Sequence, residues 1–177
     1  SFAEDSLTGI SIGTASATDP EGNTITYSLS GAGSENFSVD SAGNISLVNA
    51  LDYETATSYT LTLNASDGVN TTSSDLIITV DDVNEAPSLS NTLAASSFAE
   101  NISTGTTIAN ASASDPESQA ITYSLSGTGS ENFAVDSSGN VTLIAGLDYE
   151  TASSYTLTLS ASDGVNTITN TIAITIS

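Results

Sequence analysis

Carboxylates held at fixed intervals between short apolar stretches are the residues of this sequence with types and spacing suited to chemistry. They occur as Asp19-Pro20-Glu21, Asp52-Tyr53-Glu54, Asp67-Gly68 and Asp82-Val83-Asn84-Glu85, and again as Asp115-Pro116-Glu117, Asp148-Tyr149-Glu150 and Asp163-Gly164. Asp-x-Glu spacing lets two carboxylates from one loop converge on neighbouring ions, and Asp82-Val83-Asn84 does the same with an amide. Calcium suits such a set, because it is a hard cation that takes six to eight oxygens from carboxylates, amides, carbonyls and water.

The charge balance narrows the field further. The chain has 177 residues, 21 Asp plus Glu and no Lys, Arg or His, for a formal charge of −21. No basic side chain exists to neutralise a carboxylate. Phosphate-directed nucleic-acid binding needs Lys or Arg and is excluded; anionic membrane surfaces are equally unsuitable. Compact acidic domains repel themselves unless a divalent metal or high salt intervenes. Cysteine is absent, which removes disulfides, thiol nucleophiles and Cys-based zinc sites. No stretch reaches the ~18 apolar residues of a membrane span, so no membrane insertion is expected in this segment. The first residues lack the pattern of a signal peptide, so the sequence reads as a mature chain or an internal window.

The elements that must hold these acids are short strands. Ser1-Phe2-Ala3-Glu4 returns as Ser97-Phe98-Ala99-Glu100, and every other repeated motif keeps the same offset of 96, with about 50 of 81 aligned pairs identical. This is a tandem pair of domain-sized units. Alternation over 25–29, 59–65 and 76–80, and over the copies 121–125, 155–161 and 172–176, predicts half-buried antiparallel strands. Turn signals separate them at 20–23, 41–44 and 67–68. Short strands rich in Thr, Val, Ile and Tyr predict an all-β chain, with a β-sandwich of about seven strands per unit. Tyr27, Phe37, Tyr59, Tyr123, Phe133 and Tyr155 are the expected core aromatics. The boundary is placed in 81–87, where Pro87 ends strand pairing. Unit 1 is thus expected over 1–83, its first strand missing, and unit 2 over 84–177.

Over essentially its whole length the chain resembles the cadherin repeat in its bacterial form. Leu51-Asp52-Tyr53-Glu54 is similar to the family's Leu-Asp-Arg-Glu with Tyr for Arg, and Glu4 and Glu100 match its early glutamate. Asp19-Pro20-Glu21 and Asp115-Pro116-Glu117 resemble Asp-Ala-Asp, while Ala65-Ser66-Asp67-Gly68 and Ala161-Ser162-Asp163-Gly164 resemble a shortened Ala-x-Asp-x-Gly. Asp82-Val83-Asn84-Glu85-Ala86-Pro87 is similar to the linker Asp-x-Asn-Asp-Asn-x-Pro, one residue shorter. The resemblance implies two tandem Greek-key, immunoglobulin-like sandwiches with calcium at their junction, held by Glu4, Asp52, Glu54, Asp82, Asn84, Glu85, Asp115, Glu117 and Asp163. The shortened linker leaves two or three ions open. It also implies two half-sites completed by neighbouring repeats, one from Asp19, Glu21 and Asp67 and one from Glu100, Asp148 and Glu150.

In function, the resemblance implies a calcium-stiffened structural or adhesive module of an extracellular stalk, adhesin or filament. Its expected partners are identical or similar repeats, including a head-to-tail homopolymer, and a surface protein or glycan. Paired carboxylates could in principle serve a glycosidase, but they fall where the repeat motif puts calcium ligands, so no enzyme is expected. The rival is a carbohydrate- or protein-recognising sandwich. Against it, the chain has no Trp or Arg, and Tyr53 and Tyr149, which replace the motif Arg, are expected to pack against the linker rather than stand exposed. Of seven Asn-x-Ser/Thr sequons (Asn36, Asn44, Asn64, Asn70, Asn101, Asn110, Asn140), only Asn44 and Asn140 recur in both units.

Overall fold

Strict alternation dominates the strands that build each core. In β6 (Ser58–Ser66) Tyr59, Leu61, Leu63 and Ala65 share one face and hydroxyl or amide side chains the other; β13 (Ser154–Ser162) repeats the pattern. Successive side chains of a strand point to opposite faces, so one face is committed to the interior. The computed structural model describes all of residues 1–177, and the chain divides into two compact units, Ser1–Val83 and Asn84–Ser177. Both are all-β, apart from one 3-10 turn each at Ser34–Asn36 and Ser130–Asn132.

Unit 1 contains β1 (Phe2–Ala3), β2 (Ser11–Thr14), β3 (Thr26–Ser30), β4 (Phe37–Val39), β5 (Asn44–Leu47), β6 and β7 (Thr71–Asp81). They form a four-stranded sheet in the order β1-β7-β6-β3 and a three-stranded sheet β2-β5-β4. Leu47, Leu51, Leu61, Ile78, Val80 and Phe37 make the core between them. The β6–β7 hairpin pairs Ser58 with Thr79 at one end and Ser66 with Thr71 at the other. Thr71–Asp75 is exposed throughout and carries no alternation. That half of β7 is a strand because its backbone completes the ladder to β6, which is why the sequence pattern began only at 76.

Unit 2 contains β8 (Ser88–Leu93), β9 (Thr107–Ser114), β10 (Thr122–Ser126), β11 (Phe133–Val135), β12 (Asn140–Leu143), β13 and β14 (Thr167–Thr175). Its sheets are β10-β13-β14 and β11-β12-β9-β8. Phe98 bridges Ile176 in parallel, at the position of β1 in the first unit. The larger core includes Ile108, Val141, Leu143, Leu157, Leu159, Ile172 and Ile174.

The expected core aromatics divide by burial. Phe37 and Phe133 are buried and meet half-buried Tyr59 and Tyr155 edge to face, with centroids 5.3 and 5.4 Å apart. Tyr27 is also half-buried and its hydroxyl accepts the Ala17 N–H, giving the ring's polar end a partner. Tyr53 is half-buried and packs on the first core. Tyr149 does not: it is 47% exposed, over an open cleft lined also by Glu100, Glu150, Ile176 and Ser177.

The recurrence of Asn44 and Asn140 has a structural cause. Asp40 Oδ1 accepts the backbone N–H groups of Ala42 and Asn44, and its Oδ2 accepts Asn44 Nδ2 at 2.8 Å. Asp136 binds Ser138 and Asn140 identically. The sequon amide is therefore committed to closing a turn. The Asn44 and Asn140 side chains, followed by the local backbone N–H groups, hold Asp40 and Asp136 below the ordinary Asp value of 3.8. A depressed folded value means that the turn's contribution is present above pH 3.8 and is lost as pH falls through the lower folded value. We expect carboxyl NMR titrations of Asp40 and Asp136 to have midpoints below the unfolded-state value. Asn140→Ala should move the Asp136 midpoint up while leaving that of Asp40 in place.

Candidate metal-binding ends

Strand register sorts the acids onto opposite ends of each sandwich. In unit 1, Glu4 follows β1, which lies parallel to the end of β7 at Val80 and Asp81. Asp52 and Glu54 precede β6, whose first residue pairs with Thr79, and Asp82 follows β7. All four therefore share one end. Asp19 and Glu21 precede β3, whose first residue pairs with Ser66, and Asp67 follows Ser66; these three share the other end. A nine-residue strand separates the ends, about 30 Å at ~3.4 Å per residue.

Glu4 is the one buried charged side chain, at 5% exposure. Its Oε2 accepts the Tyr53 N–H at 2.6 Å and its Oε1 the Val83 N–H at 2.8 Å, so it ties the Asp52–Glu54 loop to the end of β7. Carboxylate oxygens of Glu4, Glu54 and Asp82 lie within 4.8 Å of one another. Three acids at that spacing, with no cationic side chain anywhere in the chain, repel unless protonated or neutralised by an ion. Asp52 faces differently. Both its oxygens accept from Thr55, from the backbone N–H and the hydroxyl, each at 2.9 Å, which gives it a turn-closing role.

The corresponding end of unit 2 holds Glu100, Asp148 and Glu150, again with oxygens within 4.8 Å of one another. Glu100 Oε2 accepts the Tyr149 N–H at 2.8 Å, repeating the Glu4 contact. Asp148 also closes the turn through Thr151, whose hydroxyl and N–H, with that of Glu150, hold its carboxyl below the usual range.

The opposite end of unit 2 gathers Asn84, Glu85, Asp115, Glu117 and Asp163. Asn84 Nδ2 donates to Asp163 Oδ2 at 2.9 Å, and the Glu85 N–H to Glu117 Oε1 at 3.3 Å. Two further residues, which sequence reasoning missed, fasten the segment. Asn166 Nδ2 donates to the Asn84 and Glu85 carbonyls, and Gln119 Nε2 donates to Asn84 Oδ1. A signal existed for Asn166, which repeats Asn70 in Asp-Gly-Val-Asn; Gln119, replacing Asn23, had none. Burial pushes the Asp163 carboxyl up, but the Asn84 amide and the Val165 and Asn166 N–H groups outweigh it and hold it low. Glu117 is also held low, first by the Glu85 side chain.

Asp115 Oδ1 accepts the Gln119 N–H at 2.9 Å, whereas Asp115 Oδ2 and Glu117 Oε2 are buried with no hydrogen-bond partner. Buried carboxylate oxygens are costly without a donor or a cation. The donor set here is oxygen only, from carboxylates, amides and carbonyls, which fits a hard divalent cation and no thiolate- or imidazole-seeking metal. In unit 1 the equivalent place is a cleft lined by Asp19, Pro20, Glu21, Asp67 and Asn70. Asp67 accepts the Val69 and Asn70 N–H groups, and Asp19 the Asn23 amide and N–H.

Two seven-stranded sandwiches with oxygen-rich loops at both ends define a tandem β-sandwich repeat. The chain belongs to the cadherin domain family, whose profile matches residues 1–81 and 95–177. It is 37% identical over 174 residues to Cadherin-related family member 1 of Mus musculus, an alignment covering 93% of this chain and 20% of that protein. The chain thus spans about a fifth of that curated relative's length. Among solved structures, extracellular cadherin domains 3–6 of protocadherin gamma B2 match with a TM-score of 0.73 and 27% identity, covering 99% of this chain and 44% of that one. Domains EC1-2 of human protocadherin-24 match with a TM-score of 0.70 and 25% identity, covering 99% and 93%. Cadherin repeats are adhesion modules of extracellular regions. No helix of this chain is long and apolar enough to cross a membrane.

Proposed function

We propose that this chain is a calcium-stiffened pair of repeats in an extracellular adhesin, stalk or filament, binding calcium through Glu4, Asp52, Glu54, Asp82, Asn84, Glu85, Asp115, Glu117 and Asp163. The observation that carries the reading is the pair of buried, partnerless oxygens on Asp115 and Glu117, in an end built only from oxygen donors. The Glu4–Glu54–Asp82 cluster supports it from the other unit. When bound, calcium supplies positive charge that offsets carboxylate repulsion and joins loops through shared oxygens. The protein's part is to hold Glu4 by two backbone N–H groups and Asn84 by Asp163 and Gln119, so that acceptors are oriented before an ion arrives. Asp52 contributes by closing its turn, and entering a metal shell would compete with Thr55. Asp19, Glu21 and Asp67, and Glu100, Asp148 and Glu150, are assigned as half-sites that neighbouring repeats complete. Similar repeats are therefore the proposed partners, and no catalytic role is proposed.

Small-angle scattering in calcium and in excess chelator tests the stiffening. Calcium should lengthen the particle and narrow its distribution of dimensions. The same scattering curve in both conditions, at equal ionic strength, would remove the mechanism.

A further inference from the structure

The amides that stand beside the acids bond differently in the two units. In unit 1, Asn23 Nδ2 donates to Asp19 Oδ1 at 3.2 Å and Asn70 Nδ2 to Asp67 Oδ2 at 3.3 Å, so each closes on a carboxylate of its own loop. In unit 2 their counterparts turn to the segment Asn84–Glu85. Gln119 keeps the backbone bond of Asn23, its N–H donating to Asp115 Oδ1, but its side chain is one methylene longer and reaches Asn84 Oδ1. Asn166 Nδ2 donates to the Asn84 carbonyl at 3.2 Å and to that of Glu85 at 3.1 Å. Asn84 Nδ2 in turn donates to Asp163 Oδ2, and the Glu85 N–H to Glu117 Oε1. Ser118, immediately before Gln119, is the one non-glycine residue with positive φ, at 62°, where unit 1 has Gly22 at 82°. The turn is thus kept in unit 2 although its residue pays backbone strain there. Further along, Pro87 is fully buried and β8 begins at Ser88.

We infer that Gln119 and Asn166 form a clasp that fastens Asn84–Glu85 to unit 2 without metal, with Gln119 as its positioning residue, and that the metal-free chain therefore bends at the single peptide link between Val83 and Asn84. Each bond of the clasp is donated by an amide N–H, a neutral group, so none needs a cation in order to form. On the other side of that link the Val83 N–H donates to Glu4 Oε1, and the second oxygen of Glu4 is held by the Tyr53 N–H. Val83 is thus tied to unit 1 and Glu85 to unit 2, and the division between the compact units falls at the same place. A hinge absorbs motion in the few torsions that no contact fixes. The peptide plane itself is rigid, so those torsions are ψ of Val83 and φ of Asn84. A tether of several free residues would spread over many lengths and directions, whereas a joint of one link leaves calcium only two torsions to fix. This deepens the calcium-stiffened reading by locating its joint, while the clasp itself contains no ion.

Amide nitrogen relaxation and residual dipolar couplings of the full chain, in excess chelator at fixed ionic strength, test the clasp apart from calcium. The order parameter of the Glu85 N–H should match that of the unit 2 strands, about 0.85. Its dipolar coupling should fit the alignment of unit 2, and that of Val83 the alignment of unit 1. A Glu85 order parameter below about 0.6 in the unaltered chain, or a coupling that fits neither unit, would overturn the clasp. Gln119→Met removes the donor at nearly constant length; together with Asn166→Ser it should drop Glu85 below about 0.6 while β13 and β14 keep about 0.85. An ordered Glu85 in that double variant would take Gln119 and Asn166 out of the role. Gln119→Asn, which restores the side chain of unit 1, should by itself lower the Glu85 value, and no change there would overturn Gln119 as the positioning residue. Because calcium enters none of these measurements, a scattering curve unmoved by calcium would sink the stiffening and leave the clasp standing, and a mobile Glu85 would do the reverse.

Discussion

Saturating calcium should raise the melting temperature of this chain by about 10–20 °C at constant ionic strength. A ligand at 100 times its Kd stabilises the folded state by ~2.7 kcal/mol, and 1 kcal/mol moves the midpoint of a domain of 60–100 residues by about 4–8 °C. The expected rise comes from carboxylates that repel in the metal-free chain, such as Glu4, Glu54 and Asp82 with oxygens within 4.8 Å of one another. Glu54→Gln with Asp82→Asn should reduce the calcium response while raising the melting temperature of the metal-free chain, because it removes two charges from that cluster. This opposite pair of signs distinguishes a site from a merely structural role. Asp52→Ala is a poorer probe, since it also breaks the Thr55 turn. Sodium chloride matched in ionic strength should give a much smaller shift; an equal one would replace metal binding with general charge screening.

Gly129→Ala should cost unit 2 about 3 kcal/mol, lowering its transition by roughly 12–24 °C. Two effects add. The residue has φ 82°, where an L side chain is strained, and a Cβ would approach Tyr155 Cδ1 to 2.5 Å. The ring has little room to yield, because it packs edge to face on buried Phe133. Gly164→Ala separates the two effects: its φ is 100°, but a Cβ there would meet nothing within 4 Å, so only backbone strain remains, about 1–2 kcal/mol. Comparable losses in the two variants, read from denaturant midpoints, would refute the Tyr155 clash. Tyr155 is the second residue of β13, just after the Asp148–Thr151 turn.

Sequence alone determined the architecture here, because its signals are local and were written twice. Alternation commits a strand to one buried face within five to nine residues, as in 59–65, and Asp-Gly turns close hairpins by backbone chemistry available within a few residues. The fixed offset of 96 then gave two like units with oxygen-rich loops, and the motifs in order gave the family.

Tertiary structure decided what depends on distant neighbours. Thr71–Asp75 is a strand through its ladder to β6, although its own side chains carry no pattern. Asn44 and Asn140 looked like repeated sequons, and only their bonds to Asp40 and Asp136 show them as turn locks. Tyr53 and Tyr149 stand in identical motifs, yet one packs on a core and the other is exposed over a cleft. Among the acids, spacing could not separate Asp52, which closes a turn, from Glu4, which is buried and held by N–H groups from two remote segments. A side chain's type sets which bonds it can make, but burial and competing donors, which only the folded chain brings together, select among them.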